Sequence, residues 1–265
     1  ESMHKQDMFN DELSLEAFCQ ATIDIPLKRF VEQKEKPWLK DKLTIALMGH
    51  LKTGKTSVMN YYFGENFPTS TEEATALATY LYSGDNPNSS MLVDKEGSVQ
   101  VLSEEEVQLF SLETSFNFPF ARMFSYIAKE SNHPSLSDKT FIDTPGLFSS
   151  NVGHSYSTFN VIENCDVIFW FIDCRKSISI TERDFIKEHL AEKPVYFIFT
   201  FVDARGLTPE KARTAIEVIK RSLQEVGIDA KGFLSFGRQE ETKRLFKSEF
   251  EPIINGLSNE YKVSD

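Results

Sequence analysis

The sequence predicts an α/β domain built on a mostly parallel central sheet with helices on its faces. Three observations carry that prediction. Five short apolar runs, "LTIALMG" (43–49), "KTFIDTPG" (139–146), "CDVIFWFIDC" (165–174), "KPVYFIFTFVD" (193–203) and "KGFLSFG" (231–237), read as buried strands and are too short for core helices. The segments between the later runs, 180–192 and 208–227, have helical periodicity, and such alternation is what a parallel sheet covered by helices requires. The first run ends in "GHLKTGKTS", two glycines five apart and then Lys-Thr, a loop suited to phosphate.

Taken in order, residues 8–36 read as a helix, with Met8, Leu13, Leu15, Phe18, Ile23, Ile25, Leu27 and Phe30 at loose helical spacing and Pro26 as a kink or break. Pro37 and Trp38 look like a joint. After the first strand, "KTSVMNYYFG" is a helix closed by Gly64. A long insertion precedes "DTPG": a strand at 78–84, a hairpin turning near Glu96-Gly97, and helical material from Ser103 to Glu130, opened by a capping box in which Glu106 answers Ser103. Thr208 and Pro209 make a cap and first turn for the longest internal helix. The tail from Arg238 to about Tyr261 is an amphipathic helix broken near Pro252. The expected organisation is a helical arm at 1–40, a nucleotide domain at 41–237 and a second arm at 238–265, the two arms packing together.

At 265 residues and 40% hydrophobic content, the chain can bury a full core. A net charge of -11 argues against a protein that coats nucleic acid. There is no apolar run of membrane-spanning length and no signal-peptide pattern, so a cytoplasmic location is expected. Cys19, Cys165 and Cys174 form no CxxC pair and read as reduced, partly buried thiols. Phe-rich "FNFPF" (116–120) and "FIFTF" (197–201) read as core, and His50 and His154 as surface residues.

Gly49-x-x-x-x-Gly54-Lys55-Thr56 stands where a phosphate loop must, after a strand and before a helix. Backbone amides from Gly49 through His50, Leu51, Lys52, Thr53 and Gly54 to Ser57 can turn toward phosphates, Lys55 can reach the terminal ones, and the Thr56 hydroxyl can ligate magnesium. Asp143 ends the next long strand, where it can hold the magnesium shell through water, and Gly146 can offer its amide to the last phosphate. "TFVD" (200–203) closes a further strand. Guanine-selective proteins carry Asn/Thr-Lys-x-Asp at this place; Thr200 and Asp203 fit, and Phe201 replaces the lysine. Ser235 is a weak candidate for the residue whose backbone meets the guanine oxygen.

The order of these motifs, the spacing "GxxKxGKTSxxNxxxG" and the "NFPTSTEEATA" that follows resemble the dynamin-like GTPase superfamily, most closely its bacterial members, over residues 43 to about 237. The phosphate loop is also similar to that of guanylate-binding proteins. The resemblance implies a GTPase whose switch threonine is Thr75, with Thr71 as competitor, and a Mg2+ ion held by Thr56, Thr75 and Asp143. It implies terminal helices forming a neck-like bundle, a homodimer through the nucleotide faces, and work on a membrane, alone or with a second dynamin-like protein, from a peripheral position. Leu147 stands where Ras-type enzymes carry a water-positioning glutamine, and Leu51 where dynamins carry theirs. Lys52 sits at the arginine-finger position of guanylate-binding proteins and is the expected charge stabiliser, which makes Lys52, Lys55 and Thr75 the candidate catalytic residues. The alternative is a slow-turnover, nucleotide-gated module that recruits a protein partner.

Overall fold

The computed structural model describes residues 34–65, 67, 77–87, 89–103, 105–106, 124–147, 159 and 161–261. The chain divides into two compact units, residues 1–41 and 42–265. In the first, Pro37–Leu39 forms one 3-10 turn, closed by the Lys40 amide on the Pro37 carbonyl at 3.2 Å. The predicted helix over 8–36 lies outside the described residues as far as residue 33, and with it the pairing of the two arms.

The second unit is a nine-stranded sheet. In chain order it comprises β1 (Leu43–Gly49), α1 (Lys55–Phe63), β2 (Ala78–Ser83), β3 (Ser89–Asp94), β4 (Val99–Ser103), β5 (Phe124–Ser131) and β6 (Lys139–Asp143). There follow β7 (Val167–Asp173), α2 (Ile180–His189), β8 (Val195–Thr200), α3 (Pro209–Glu225), β9 (Ala230–Phe236) and α4 (Glu240–Tyr261). The strand order is β4-β3-β5-β2-β6-β1-β7-β8-β9. From β6 to β9 every pairing is parallel. Every residue of β1, β6, β7 and β8 is buried, the condition under which parallel strands lose polar alternation. β2 joins β6 antiparallel, and β5, β3 and β4 extend the sheet outward.

Two expectations are corrected. Residues 124–131 form strand β5 rather than the end of a helix. Its "AKES" half reads as helix-forming, but β5 pairs with β2 on one side and β3 on the other, and buried Lys129 meets the Glu65 carboxylate at 2.6 Å. Sheet pairing overrides local preference here. The second correction concerns α4, which runs unbroken through Pro252. Phe246, Phe250, Ile254 and Leu257 place one apolar stripe in the same core as Ile45, Phe169 and Ile198, and that burial outweighs the lost backbone bond.

Elsewhere the local signals act as expected. Ser103 and Glu106 bond reciprocally, amide to carboxylate at 2.8 Å and amide to hydroxyl at 3.3 Å. Thr208 caps α3 by accepting from the Lys211 amide. Phe197 and Phe199 are wholly buried, and Cys165 and Cys174 are buried and in no disulfide. "FNFPF", His154 and Cys19 lie outside the described residues. Among the described residues no helix is long and apolar enough to cross a membrane.

Candidate nucleotide site

Parallel pairing aligns the carboxyl ends of β1, β6, β8 and β9 on one edge of the sheet, where α/β folds bind ligands. Register places Asp143 beside Leu47, Phe171 beside Gly49, and both Asp173 and Phe236 beside Thr200. The loop after β1, "DTPG", "TFVD" and the turn after β9 therefore all open on that edge.

The loop is a backbone structure. Gly49 has φ 144, and a Cβ there would stand 2.5 Å from the Phe171 carbonyl oxygen, so no side chain fits. Lys52 takes a left-handed φ of 62 with its side chain exposed, and Gly54 a φ of 87 just before α1. The Thr53 hydroxyl donates to the His50 carbonyl at 2.8 Å. Lys55 is buried, its Nζ donating to the carbonyls of His50 at 3.1 Å and Gly49 at 3.4 Å. Burial lowers its pKa, and the negative charges of Asp143 and Glu182 pull it partway back. Ser57 is exposed, in the first turn of α1.

"DTPG" is laced to this loop. The Thr144 amide and hydroxyl both donate to the Leu47 carbonyl, at 3.2 and 2.8 Å. The Leu147 amide donates to the Gly49 carbonyl at 3.1 Å, and Leu147 is buried. Gly146 has no room for a side chain, since a Cβ would lie 2.6 Å from the Leu51 Cα. Asp143 accepts from the Thr56 hydroxyl at 2.7 Å through Oδ2, while its Oδ1 is buried with no hydrogen-bond partner among the described residues. Burial raises the Asp143 pKa, against the pull of Lys55 and the Thr56 bond. A buried, half-satisfied carboxylate against a threonine hydroxyl is a hard-oxygen set that fits Mg2+. Thr75 and Thr71 lie outside the described residues. The chain on the near side of their segment is pinned by Asn60, whose side chain donates to the Phe67 carbonyl at 2.7 Å and accepts from its amide at 2.9 Å.

The end of β8 is tied to the loop directly. The Thr200 hydroxyl donates to the Thr53 carbonyl at 2.8 Å. Phe201 takes a left-handed φ of 60, unusual for a bulky residue, and lies within 4.0 Å of where a Cβ on Gly54 would be. Arg175 holds its guanidinium 4.0 Å from the Phe201 ring centre, itself gripped by Asp173 through two bonds of 2.8 and 2.7 Å. Asp203 accepts from the amides of Arg238 (2.8 Å) and Gln239 (2.6 Å) and from the Thr242 hydroxyl (2.8 Å). Burial pushes its carboxyl up, but these bonds outweigh burial and hold it below the usual range. Ser235 lies within β9 opposite Phe199; the residues that reach Asp203 are three to seven positions further on.

Thus the structure brings together Gly49 to Ser57, Asp143, Gly146 and Thr200, with Asp203 three residues beyond on the same edge. Sequence reading missed Asp173, Arg175, Arg238, Gln239 and Thr242. Asp173-x-Arg175 after an apolar strand was a usable signal; the contacts of the last three with a residue 35 to 39 positions away were not. Also missed is Glu182, buried on α2, which accepts from the Trp170 indole at 2.9 Å.

No curated protein sequence matches the chain. Two solved structures share its fold, both described as an oligomerised bacterial dynamin pair that provides a mechanism for long-range sensing and tethering of membranes. One is 19% identical with a TM-score of 0.58 over 95% of this chain, the other 18% identical with a TM-score of 0.61 over 97%. The chain covers 51% and 43% of those two chains, about half the length of each. The family model described as the dynamin family matches residues 45–203. That stretch begins inside β1 and stops at Asp203, and on that match the chain belongs to the dynamin family, of which it carries the GTPase domain.

Proposed function

We propose that this chain binds and hydrolyses GTP, dimerises through its nucleotide face, and serves a membrane-tethering or remodelling machine. The observation that carries the reading is the pairing of Thr56 with buried Asp143 beside Lys55, a site whose charged groups are oriented before any phosphate arrives. Thr56, and Asp143 through water, would hold Mg2+, which would supply positive charge beside the phosphates. The loop amides orient the triphosphate, Lys55 exchanges its two carbonyl contacts for phosphate oxygens, and Asp203 accepts from the guanine edge. Thr75 is the switch threonine that the family resemblance implies for the last phosphate. Lys52, exposed at its left-handed turn, stabilises charge as the bond to that phosphate breaks. The domain plan is then an arm to residue 40 and a nucleotide domain from 41, with α4 packed into that domain's core in place of a second arm, and the matched bacterial pair supports self-association and a peripheral membrane location for the whole protein.

A second reading rests on Leu147, which is buried, bonded to Gly49, and unable to orient water. On that reading turnover is slow and the GTP-bound form recruits a partner protein. One experiment separates the two: GTP turnover per molecule against protein concentration, with mass by light scattering in GDP plus aluminium fluoride. A specific rate that climbs with concentration alongside a doubled mass is the expected result. A flat rate and a monomer throughout would reject the hydrolytic dimer in favour of the recruiting module.

A further inference from the structure

Asp203 is more fully hydrogen-bonded than a carboxylate reading guanine can remain. A carboxylate offers about four acceptor positions, two on each oxygen. Oδ1 accepts from the Arg238 amide, and Oδ2 accepts from both the Gln239 amide and the Thr242 hydroxyl. These three bonds leave one position, on Oδ1. Guanine presents two donors side by side, the ring N1–H and the exocyclic amine, and needs one position on each oxygen. The first turn of α4 and the base therefore compete for Oδ2.

Thr242 can yield where the others cannot. Its hydroxyl oxygen lies 2.8 Å from Asp203 Oδ2 and also 2.8 Å from the Gln239 carbonyl oxygen. It has one proton, so it donates to one of them at a time. The Gln239 carbonyl receives the Lys243 amide at 3.0 Å and keeps a second lone pair for the hydroxyl. Rotation about the Cβ–Oγ1 bond moves the proton from carboxylate to carbonyl with no heavy atom displaced. The two amides have no such freedom, because the start of the helix fixes their direction.

We propose that Thr242 is a positioning residue for base selection, a hydroxyl rotor that satisfies Asp203 Oδ2 until a two-donor base edge takes that oxygen, and then turns to the Gln239 carbonyl. The proposal rests on Asp203 being the group that reads guanine. Hypoxanthine, which lacks the exocyclic amine, uses only that position on Oδ1 and leaves the rotor where it is. Guanine binding exchanges a charge-assisted bond for a neutral one at Thr242; hypoxanthine binding does not.

The test is equilibrium binding of GTP and ITP to the full chain and to Thr242→Val, which keeps the shape and removes the proton, with Thr242→Ala as a second variant should valine disturb α4. Both variants are expected to bind GTP roughly threefold to tenfold more tightly, because no charge-assisted bond is then given up. ITP binding is expected to stay within about twofold, the size of an ordinary surface substitution. Thr242→Ser, which keeps the proton, should track the parent. Equal changes for GTP and ITP, or weaker GTP binding in both variants, would overturn the rotor while leaving the guanine reading intact. A parent that binds GTP, ITP and ATP alike, with Asp203→Asn no different, would remove the guanine reading and the rotor with it.

Discussion

The phosphate end and the base end of this site are built on opposite plans. Around Gly49 to Thr56 the groups are mostly backbone, they come from one continuous stretch, and the side chains that matter, Lys55 and Thr56, bond within the loop or to Asp143 on the adjacent β6. Around Asp203 they are side chains and amides from β7, β8 and the start of α4, and the aromatic at 201 is held by an arginine from a different loop. The difference teaches where each end can vary. A loop that grips through amides tolerates many side chains so long as its turns survive. An assembly of distant side chains can lose one member, such as the customary lysine, and be rebuilt from another element.

Four outcomes would sharpen or break that contrast. The largest belongs to the phosphate end: Lys55→Ala should weaken binding of magnesium GTP by about 100-fold, the loss expected for a charged hydrogen-bonding group, as read by calorimetry. A loss of twofold would mean that the amides alone hold the phosphates. Next comes the Thr200–Thr53 hydrogen bond that joins the two ends. Thr200→Val leaves the buried Thr53 carbonyl without its donor and should cost about 2 kcal/mol of stability in urea unfolding; an unchanged midpoint would make the two ends independent. At the base end, Asp203→Asn should weaken GTP about tenfold and improve xanthosine triphosphate, whose edge offers a carbonyl where guanine has its amine. The smallest effect is at Phe201, where Phe201→Leu removes the ring from the Arg175 guanidinium, leaves the Arg175–Asp173 pair intact, and should lower stability by about 0.5 kcal/mol, read from the thermal midpoint.

Asp203 also carries a pH signature. Its carboxyl is held below the ordinary aspartate value of 3.8 by the bonds from α4, so its cap stabilises the fold above that pH and is lost as pH falls through the lower folded value. The thermal midpoint of Asp203→Asn should lie below the parent's at pH 7, with the gap closing as the solution is acidified below 3.8. A gap that persists in acid would show that the carboxylate's charge has no part in holding α4.

What was legible in the sequence follows the same divide. The parallel strands declared themselves because burial on both faces removes polar residues from a run, and the phosphate loop because its chemistry is local. β5 did not, because its helix-like half is stabilised by partners on either side and by Glu65, sixty-four positions before Lys129. Pro252 misled for the converse reason: a local breaker is tolerated where Phe250 and Ile254 are anchored in the core. The residues around Asp203 were illegible because Arg238, Gln239 and Thr242 are ordinary helix-start residues whose meaning comes only from what β8 sets beside them.

The burial of α4 has a practical corollary for anyone shortening the protein. Phe250 rests edge-on against Tyr62 at 4.8 Å and Phe169 at 5.2 Å, so the last helix is a wall of the main sheet and no appendage to it. A fragment ending at residue 237 would keep every sequence motif intact while baring a greasy flank of β1 and β7 to solvent, and it would be expected to clump in the tube before it could be assayed.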